Sequence, residues 1–302
     1  AKLVCDRLNV PHYTLDFTHV FQKSVVDNFA DEYLAGRTPN PCVRCNSLVK
    51  WDAFVQQADK LGAAYIATGH YAKVQHSKGS SVLKKGKDTL KDQAYVLWGI
   101  PAHTLSRTLF PLGDLTKEEV RNIAREHKFE TAEIPESMEI CFVADNNYKR
   151  FLKDYVPEKM AEISAGEIVD ESGKVVGEHS GYTDYTIGQR KGLGLSTPEP
   201  HYVSNIDPTN NQIRIGKKGS LRKNNCEVSG VNWLVENISF PCDVQAQIRY
   251  NSPLIDAKIS QSENQFSVQF LHPQIAVTPG QSIVFYKNDI VLGGGIIEKN
   301  IE

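Results

Sequence analysis

Two textures divide the chain, and the division limits the folds open to it. From about residue 220 onward, CDVQAQIRY, LIDAKISQ, QFSVQFL and QSIVFYKNDIVLGGGIIEK are short strand-like runs separated by turn residues. Several short strands at near-regular spacing predict a small barrel. The first half instead alternates helical and strand patterns. KLVCDRL (2–8) reads as the end of a helix and PHYTLDF (11–17) as a strand. Phe21, Val25, Phe29 and Tyr33 recur every fourth residue, which predicts one face of a helix stopped by Gly36. A second helix is predicted from about Trp51, with Phe54, Val55, Ala58 and Leu61 inward and Gly62 behind it. AAYIAT (63–68) then breaks at Gly69-His70, as a buried parallel strand ends at a site-bearing loop. Thr116 and Glu119 stand at capping-box spacing and predict a helix through about His127. Strands alternating with helices predict an open parallel sheet covered on both faces, with ligands beyond the C-terminal strand ends. TGHY should lie there. Between the two textures, DNNYKRFLKDYV (145–156) predicts a short helix capped by Asp145, and EIVDESGKVVGEH (167–179) a hairpin about Ser172-Gly173. The loop IGQRKGLG (187–194) follows.

Length and composition fit this plan. A chain of 302 residues holds two or three ordinary domains, and 40% hydrophobic with 23% charged residues describes a globular protein. No apolar run approaches the roughly 18 residues of a membrane span. Six cysteines (Cys5, Cys42, Cys45, Cys141, Cys226 and Cys242) are too sparse for a disulfide scaffold. The first 30 residues lack a signal-peptide layout. The expectation is therefore a reducing compartment, bacterial cytosol or organelle matrix, where CxxC is metal-binding or catalytic more often than a bridge. A net charge of -2 exerts no global pull on nucleic acid, so such binding must come from local patches.

The chemistry-bearing residues begin with TPNPCVRCNSLVKW (38–51), where two prolines and an asparagine lead into Cys42 and Cys45. The pair alone fits part of a zinc site, a redox pair, cluster ligands, or two incidental thiols. Structural zinc wants four ligands, and no second CxxC exists here. In ESMEICFV (136–143), Cys141 edges an apolar run, and its ordinary reading is a buried inert thiol. The lysine-rich KKGKDTLKDQ (84–93), GQRKGLG (188–194) and RIGKKGSLRK (214–223) read as solvated surface or as phosphate contacts. Arg249-Tyr250 offers a guanidinium beside an aromatic ring, suited either to a strand edge or to phosphate and base contact.

GRTPNPCVRCN, ATGHYAK, KDQAYVL, LFPLGDLTKEEVR, SMEICF, GYTDYTIGQRKGLG, QIRYNSP and TPGQSIVFY occur together in one order. Over essentially the whole chain this set resembles the tRNA-specific 2-thiouridylases, the MnmA/TrmU family. The resemblance implies an adenine nucleotide alpha hydrolase-like catalytic domain (1–145), a small central tRNA-binding domain (146–215) and a C-terminal β-barrel that also binds tRNA (216–302). It implies 2-thiolation of the wobble uridine of tRNA: ATP with Mg2+ adenylates the C2 oxygen, and sulfur displaces AMP. Residue by residue, Cys141 matches the persulfide-bearing cysteine and Cys45 the nucleophile that resolves it. Gly69 matches a nucleotide contact. Asn40, Pro41 and Cys42 match the stretch against the target base, and His70, Lys91, Asp92, Gln93, Arg249, Tyr250 and Gln281 match tRNA contacts. The implied partners are tRNAs of lysine, glutamate and glutamine type and a sulfur donor such as a cysteine desulfurase or sulfur carrier, with no membrane.

Two departures qualify the match. Nothing before residue 38 reads SGGxDS, the family's phosphate-cradling PP-loop, and the chain opens in mid-helix. The expectation is that further sequence precedes Ala1, and that these residues alone bind tRNA without adenylating it. Cys42 also stands where many members carry Asp, whose carboxylate has a plausible general-base role. Cys42, Cys45 and Cys141 together resemble the three-cysteine set of related thiolases that hold a [4Fe–4S] cluster. Persulfide relay and cluster-bound sulfide both stay open here. Outside this family stand an ATP-pyrophosphatase-type ligase or amidotransferase and a non-catalytic tRNA-binding module.

Overall fold

The computed structural model describes residues 1–77, 79–134, 140–195, 199–263 and 265–301. Helix α1 (Lys2–Leu8) buries none of its residues. The strand expected at 11–17 is absent: residues 11–16 are exposed and irregular, and among the described residues no strand pairs with them. Helix α2 runs through Thr18–Phe21, a π-helical Gln22–Val26 and Asp27–Leu34. Its Val25, Phe29 and Tyr33 are buried, as the fourfold spacing predicts. Gly36 ends it at φ 69°, a left-handed conformation favoured at helix ends in glycine.

Helix α3 comprises Pro41–Arg44, a π-helical Cys45–Ala53 and Phe54–Lys60. It starts at Pro41 rather than near Trp51, so both thiols of the CxxC lie in its first turns instead of in a loop. Asn40 caps it and proline occupies the first helical position, where a missing N–H costs nothing. Its buried stripe is Val43, Asn46, Val49 and Trp51, and the polar Asn46 breaks the apolar periodicity. Leu61 lies at the end of the helix and is 66% exposed, not inward.

The parallel sheet is short. Strand β1 (Ile66–Ala67) pairs in parallel with β4 (Thr108–Leu109). Between them, β2 (Ala72–Ser77) and β3 (Ser80–Lys85) form an antiparallel hairpin. Helix α4 (Lys117–Glu126) carries the full capping box: Thr116 Oγ1 accepts from Glu119 N, and the Glu119 carboxylate accepts from Thr116 N. Helix α5 (Tyr148–Tyr155) is capped by Asn147, not Asp145. Asp145 instead accepts from Asn147 N and pairs with Arg150.

A central sheet follows with strand order β6-β5-β8-β7, from β5 (Gly166–Val169), β6 (Val175–His179), β7 (Tyr202–Asp207) and β8 (Gln212–Gly216). Strands β5 and β6 form the hairpin predicted about Ser172-Gly173. Beyond it, β9 (Arg222–Trp233), β10 (Cys242–Gln247), β11 (Ile255–Ser262), β12 (Gln265–Ile275), β13 (Ser282–Lys287) and β14 (Ile290–Ile301) close into a barrel through the β13–β14 pair. Five successive residues of β13, Ser282–Tyr286, are buried because both its faces are covered. Ile283 and Phe285 fill the barrel, while Val284 and Tyr286 join the core of Trp51, Tyr95, Leu97 and Ile100. The barrel and the thiol-bearing layer therefore share one hydrophobic core.

Candidate active site

The N-terminal end of α3 is set from both sides. Asn40 Oδ1 accepts from Val43 N at 3.4 Å, and its amide hydrogen-bonds the Tyr95 hydroxyl. That hydroxyl donates to Ser282 O of the barrel at 2.8 Å. Gln281 Nε2 donates to Thr38 O at 3.0 Å and Pro39 O at 3.1 Å, and Thr38 N donates to Pro279 O at 2.9 Å. Gly280 makes this approach feasible. Its φ is +88°, and a Cβ there would lie 2.8 Å from Thr38 O and 2.9 Å from Thr38 N. The barrel thus fixes the turn that presents Asn40, Pro41 and Cys42.

Cys141 reaches the same place from another part of the chain. Its neighbour Phe142 packs edge-to-face on Phe21 at 5.8 Å and Phe29 at 5.2 Å, and tilted on Phe151 at 5.3 Å. This aromatic cluster ties the Cys141 turn to α2 and α5. Residues 136–139 of the motif lie outside the described residues. Cys42 and Cys141 are exposed, Cys45 is half-buried, and all three are free thiols. Cys42 is open to solvent at its own atoms while protein crowds its surroundings. That desolvation pushes its thiol up, Cys141 adds to the rise, and Lys50 opposes it. Cys45 is likewise pushed up by burial, opposed by Lys50, with smaller upward effects from Cys141 and Cys42. The three sulfurs thus lie within electrostatic reach of one another, although 96 positions separate Cys45 from Cys141. Among the described residues, however, no three His, Cys, Asp or Glu side chains converge as a metal site. The cysteines as arranged do not fit a cluster's ligand set.

Behind the thiols stands a second group. Lys50 Nζ lies 3.5 Å from His70 Nε2, and His70 Nδ1 lies 2.7 Å from Thr68 Oγ1. The imidazole is 9% exposed and sits between Trp51 and Phe110, with ring centres at 5.6 and 5.9 Å. Burial and the neighbouring ammonium lower its pKa to about 3, so it is neutral at physiological pH. The expected tRNA contact at His70 is therefore not what its ring offers: both ring nitrogens are engaged inside the protein. Lys50 was legible in the sequence only as half of a Lys-Trp pair, since nothing in a linear pattern aims it at the thiols. Gly69 is exposed just past the C-terminal end of β1. A Cβ there would meet only Leu112, at 3.5 Å, so the protein's own packing does not require glycine and leaves room for a ligand.

The remaining expected tRNA contacts separate into two kinds. Asp92 Oδ1 accepts from Gly86 N at 2.8 Å and Ala94 N at 3.3 Å, and burial raises its pKa against these bonds. Gln93 Oε1 accepts from Tyr71 N at 3.0 Å, while Gln93 N donates to Tyr71 O. Lys91 is half-buried beside them. Asp92, Gln93 and Gln281 thus brace loops of the protein. Arg249 and Tyr250 are exposed, in a turn just after β10 rather than in the strand. The Tyr250 ring lies 5.9 Å from that of Tyr95, and Arg249 acts on the same hydroxyl. They stand beside the α3 cap. Of the basic stretches, Arg190, Lys191 and Lys218 are exposed, and Lys217 pairs with Glu199 at 2.7 Å. A cleft of about 660 Å³ between β10, β11, β12 and β13 contains none of the expected site residues.

Sequence models of three domain families match the chain in succession. They are a tRNA methyl transferase HUP domain over residues 1–145, a tRNA methyl transferase PRC-barrel domain over 149–217 and an aminomethyltransferase β-barrel domain over 223–297. The chain is 46% identical to the tRNA-specific 2-thiouridylase MnmA of Carboxydothermus hydrogenoformans, a match covering 100% of this chain and 83% of that protein. It is 46% identical to the protein of the same name from Natranaerobius thermophilus, over 99% of this chain and 82% of the relative. With that of Chlorobium phaeobacteroides the identity is 45%, over 99% and 84%.

Proposed function

This chain belongs to the family of tRNA-specific 2-thiouridylases, and from the thiol pair at the head of α3 we propose that it thiolates tRNA by persulfide relay. The observation that carries the reading is the approach of Cys141 to Cys45 across 96 positions. In the proposed sequence the C2 oxygen of the wobble uridine attacks the α-phosphorus of ATP, releasing pyrophosphate. A donor protein loads Cys141 as a persulfide. The Cys45 thiolate attacks the Cys141 sulfur, forming a Cys45–Cys141 disulfide and expelling hydrosulfide. Hydrosulfide adds at C2 and AMP leaves with the original oxygen. An external dithiol then returns the disulfide to two thiols.

The chain's own groups serve this sequence. Asn40 and Pro41 border the thiols and face the target base, Arg249 and Tyr250 flank them from the barrel, and Gly69 lies beside the nucleotide at the end of β1. Cys42, with its thiol pushed up by burial, is a poor base and a bystander in the relay. On the same family likeness, the acceptors are tRNAs of lysine, glutamate and glutamine type, sulfur comes from a cysteine desulfurase or sulfur carrier, and Mg2+ accompanies ATP. The cytosol, or an organelle matrix, is the setting.

The test is 2-thiouridine formation on unmodified tRNA, read by mass spectrometry. The protein from its full reading frame is supplied with ATP and a persulfide donor. Cys45→Ser and Cys141→Ser should each abolish product, while Cys42→Ser keeps it. Loss in Cys42→Ser equal to that in the other two would favour a three-thiol site and sink the relay.

A further inference from the structure

The π-helical stretch Cys45–Ala53 changes which side chains share a face. In an α-helix a residue five positions on lies roughly 140° round the axis. With i→i+5 bonding it returns close to the starting face. Lys50 is five positions after Cys45, so the widened turn brings its ammonium to the thiol side of α3. Its nearness to both thiols shows in its action on Cys42 and Cys45. Among the described residues it forms no ion pair with a carboxylate, and its partner is the uncharged His70.

His70 fixes that ammonium. An ammonium only donates, so Nε2 must accept, and the ring proton sits on Nδ1 facing Thr68 Oγ1 at 2.7 Å. The ring cannot turn away, because Trp51 and Phe110 hold it and Trp51 Nε1 itself donates to Thr108 Oγ1 of β4 at 2.9 Å. A neutral partner holds Lys50 in place without cancelling its charge.

Resting on the relay reading above, we propose that Lys50 is the positioning cation of the sulfur-transfer site, aimed by the Thr68–His70 pair to stabilise negative charge on the Cys45 sulfur. In the relay the cation favours the attacking Cys45 thiolate. The chemistry it recognises is a sulfur anion, in a pocket where burial otherwise disfavours one.

The test measures Cys45 alkylation by peptide mass spectrometry in the tRNA-free protein, with neutral iodoacetamide and anionic iodoacetate at one pH. Lys50→Met should slow iodoacetamide roughly threefold to tenfold, the range of up to one pKa unit of thiolate. It should also remove a preference for iodoacetate that the wild type shows. Lys50→Arg should restore both, and His70→Phe should lie between. Cys226, buried inside the barrel, reports general unfolding through its own rate. Equal Cys45 rates and equal reagent preference in wild type, Lys50→Met and Lys50→Gln would overturn the proposal. The alkylation readout needs no thiolation, so failure of the tRNA reading and failure of the Lys50 role are separate results.

Discussion

The Tyr95 hydroxyl donates to Ser282 O at 2.8 Å, joining a buried tyrosine of the thiol-bearing layer to the first residue of β13, 187 positions away. The same hydroxyl bonds Asn40, the cap of the helix that carries Cys42 and Cys45. This oxygen is one of the links, with Gln281 and Pro279, by which the barrel sets the helix end at which the chemistry is proposed to occur. Removing that oxygen tests the link. Tyr95→Phe keeps the ring's packing but strands a buried acceptor, which costs about 1–3 kcal/mol. Urea unfolding should show this loss, and the Asn40 cap should loosen with it. Unchanged stability would mean that this bond adds nothing to the apolar core and the Gln281 and Pro279 bonds that also dock the barrel.

Gln281 separates bracing from RNA contact. Its amide spans Thr38 O and Pro39 O. Gln281→Ala should destabilise by about 1–2 kcal/mol from two lost hydrogen bonds. Thiolation should slow while filter-binding affinity for tRNA stays within a few fold. A large loss of affinity at unchanged stability would make Gln281 an RNA contact after all.

His70 gives a pH dependence with a fixed sign. Its folded pKa, about 3, lies below the ordinary value of 6.5. Above pH 6.5 both folded and unfolded forms are neutral, and the group contributes no slope. As pH falls from about 6.5 to about 3 the unfolded chain takes a proton that the fold excludes. Stability should then drop by up to ~1.4 kcal/mol per pH unit from this residue. Unfolding midpoints of wild type and His70→Gln should converge in slope above pH 7 and diverge below pH 6, with the variant flatter.

Phe142 should act on Cys141 through packing. It sits against three aromatic rings while its neighbour's thiol stays exposed. Phe142→Ala removes a half-buried ring and should cost about 2 kcal/mol, less than a fully buried phenylalanine. The rate of oxidative Cys45–Cys141 disulfide formation should fall with it, measured by non-reducing peptide mapping. A rate equal to wild type would show that the Cys141 turn is held elsewhere.

Much of the molecule could be read from local pattern. The spacing of Phe21, Val25, Phe29 and Tyr33 marked a helix because period and burial agree there. Thr116 and Glu119 marked a helix start through a capping box that is local by nature. The barrel strands and the hairpin at Ser172-Gly173 carry their own alternation and turn residues. Patterns failed where the partner lies far off in sequence. PHYTLDF has the residue types of a strand but no strand beside it among the described residues. The start of α3 was hidden because Asn46, at a core position, is buried through a bond from its Nδ2 to Val96 O.

What the sequence alone determined was the family, the capping-box helix and the barrel strands, since these rest on local spacing and on motifs in series. Only the tertiary structure decided which groups face one another. It gave Asp92, Gln93 and Gln281 backbone partners within the fold, because half-buried polar groups pair where they can. It also set Lys50 and a neutral His70 behind Cys45. That placement depends on the widened turn of α3 and on the rings of Trp51 and Phe110, a geometry built from chain segments that no linear motif joins.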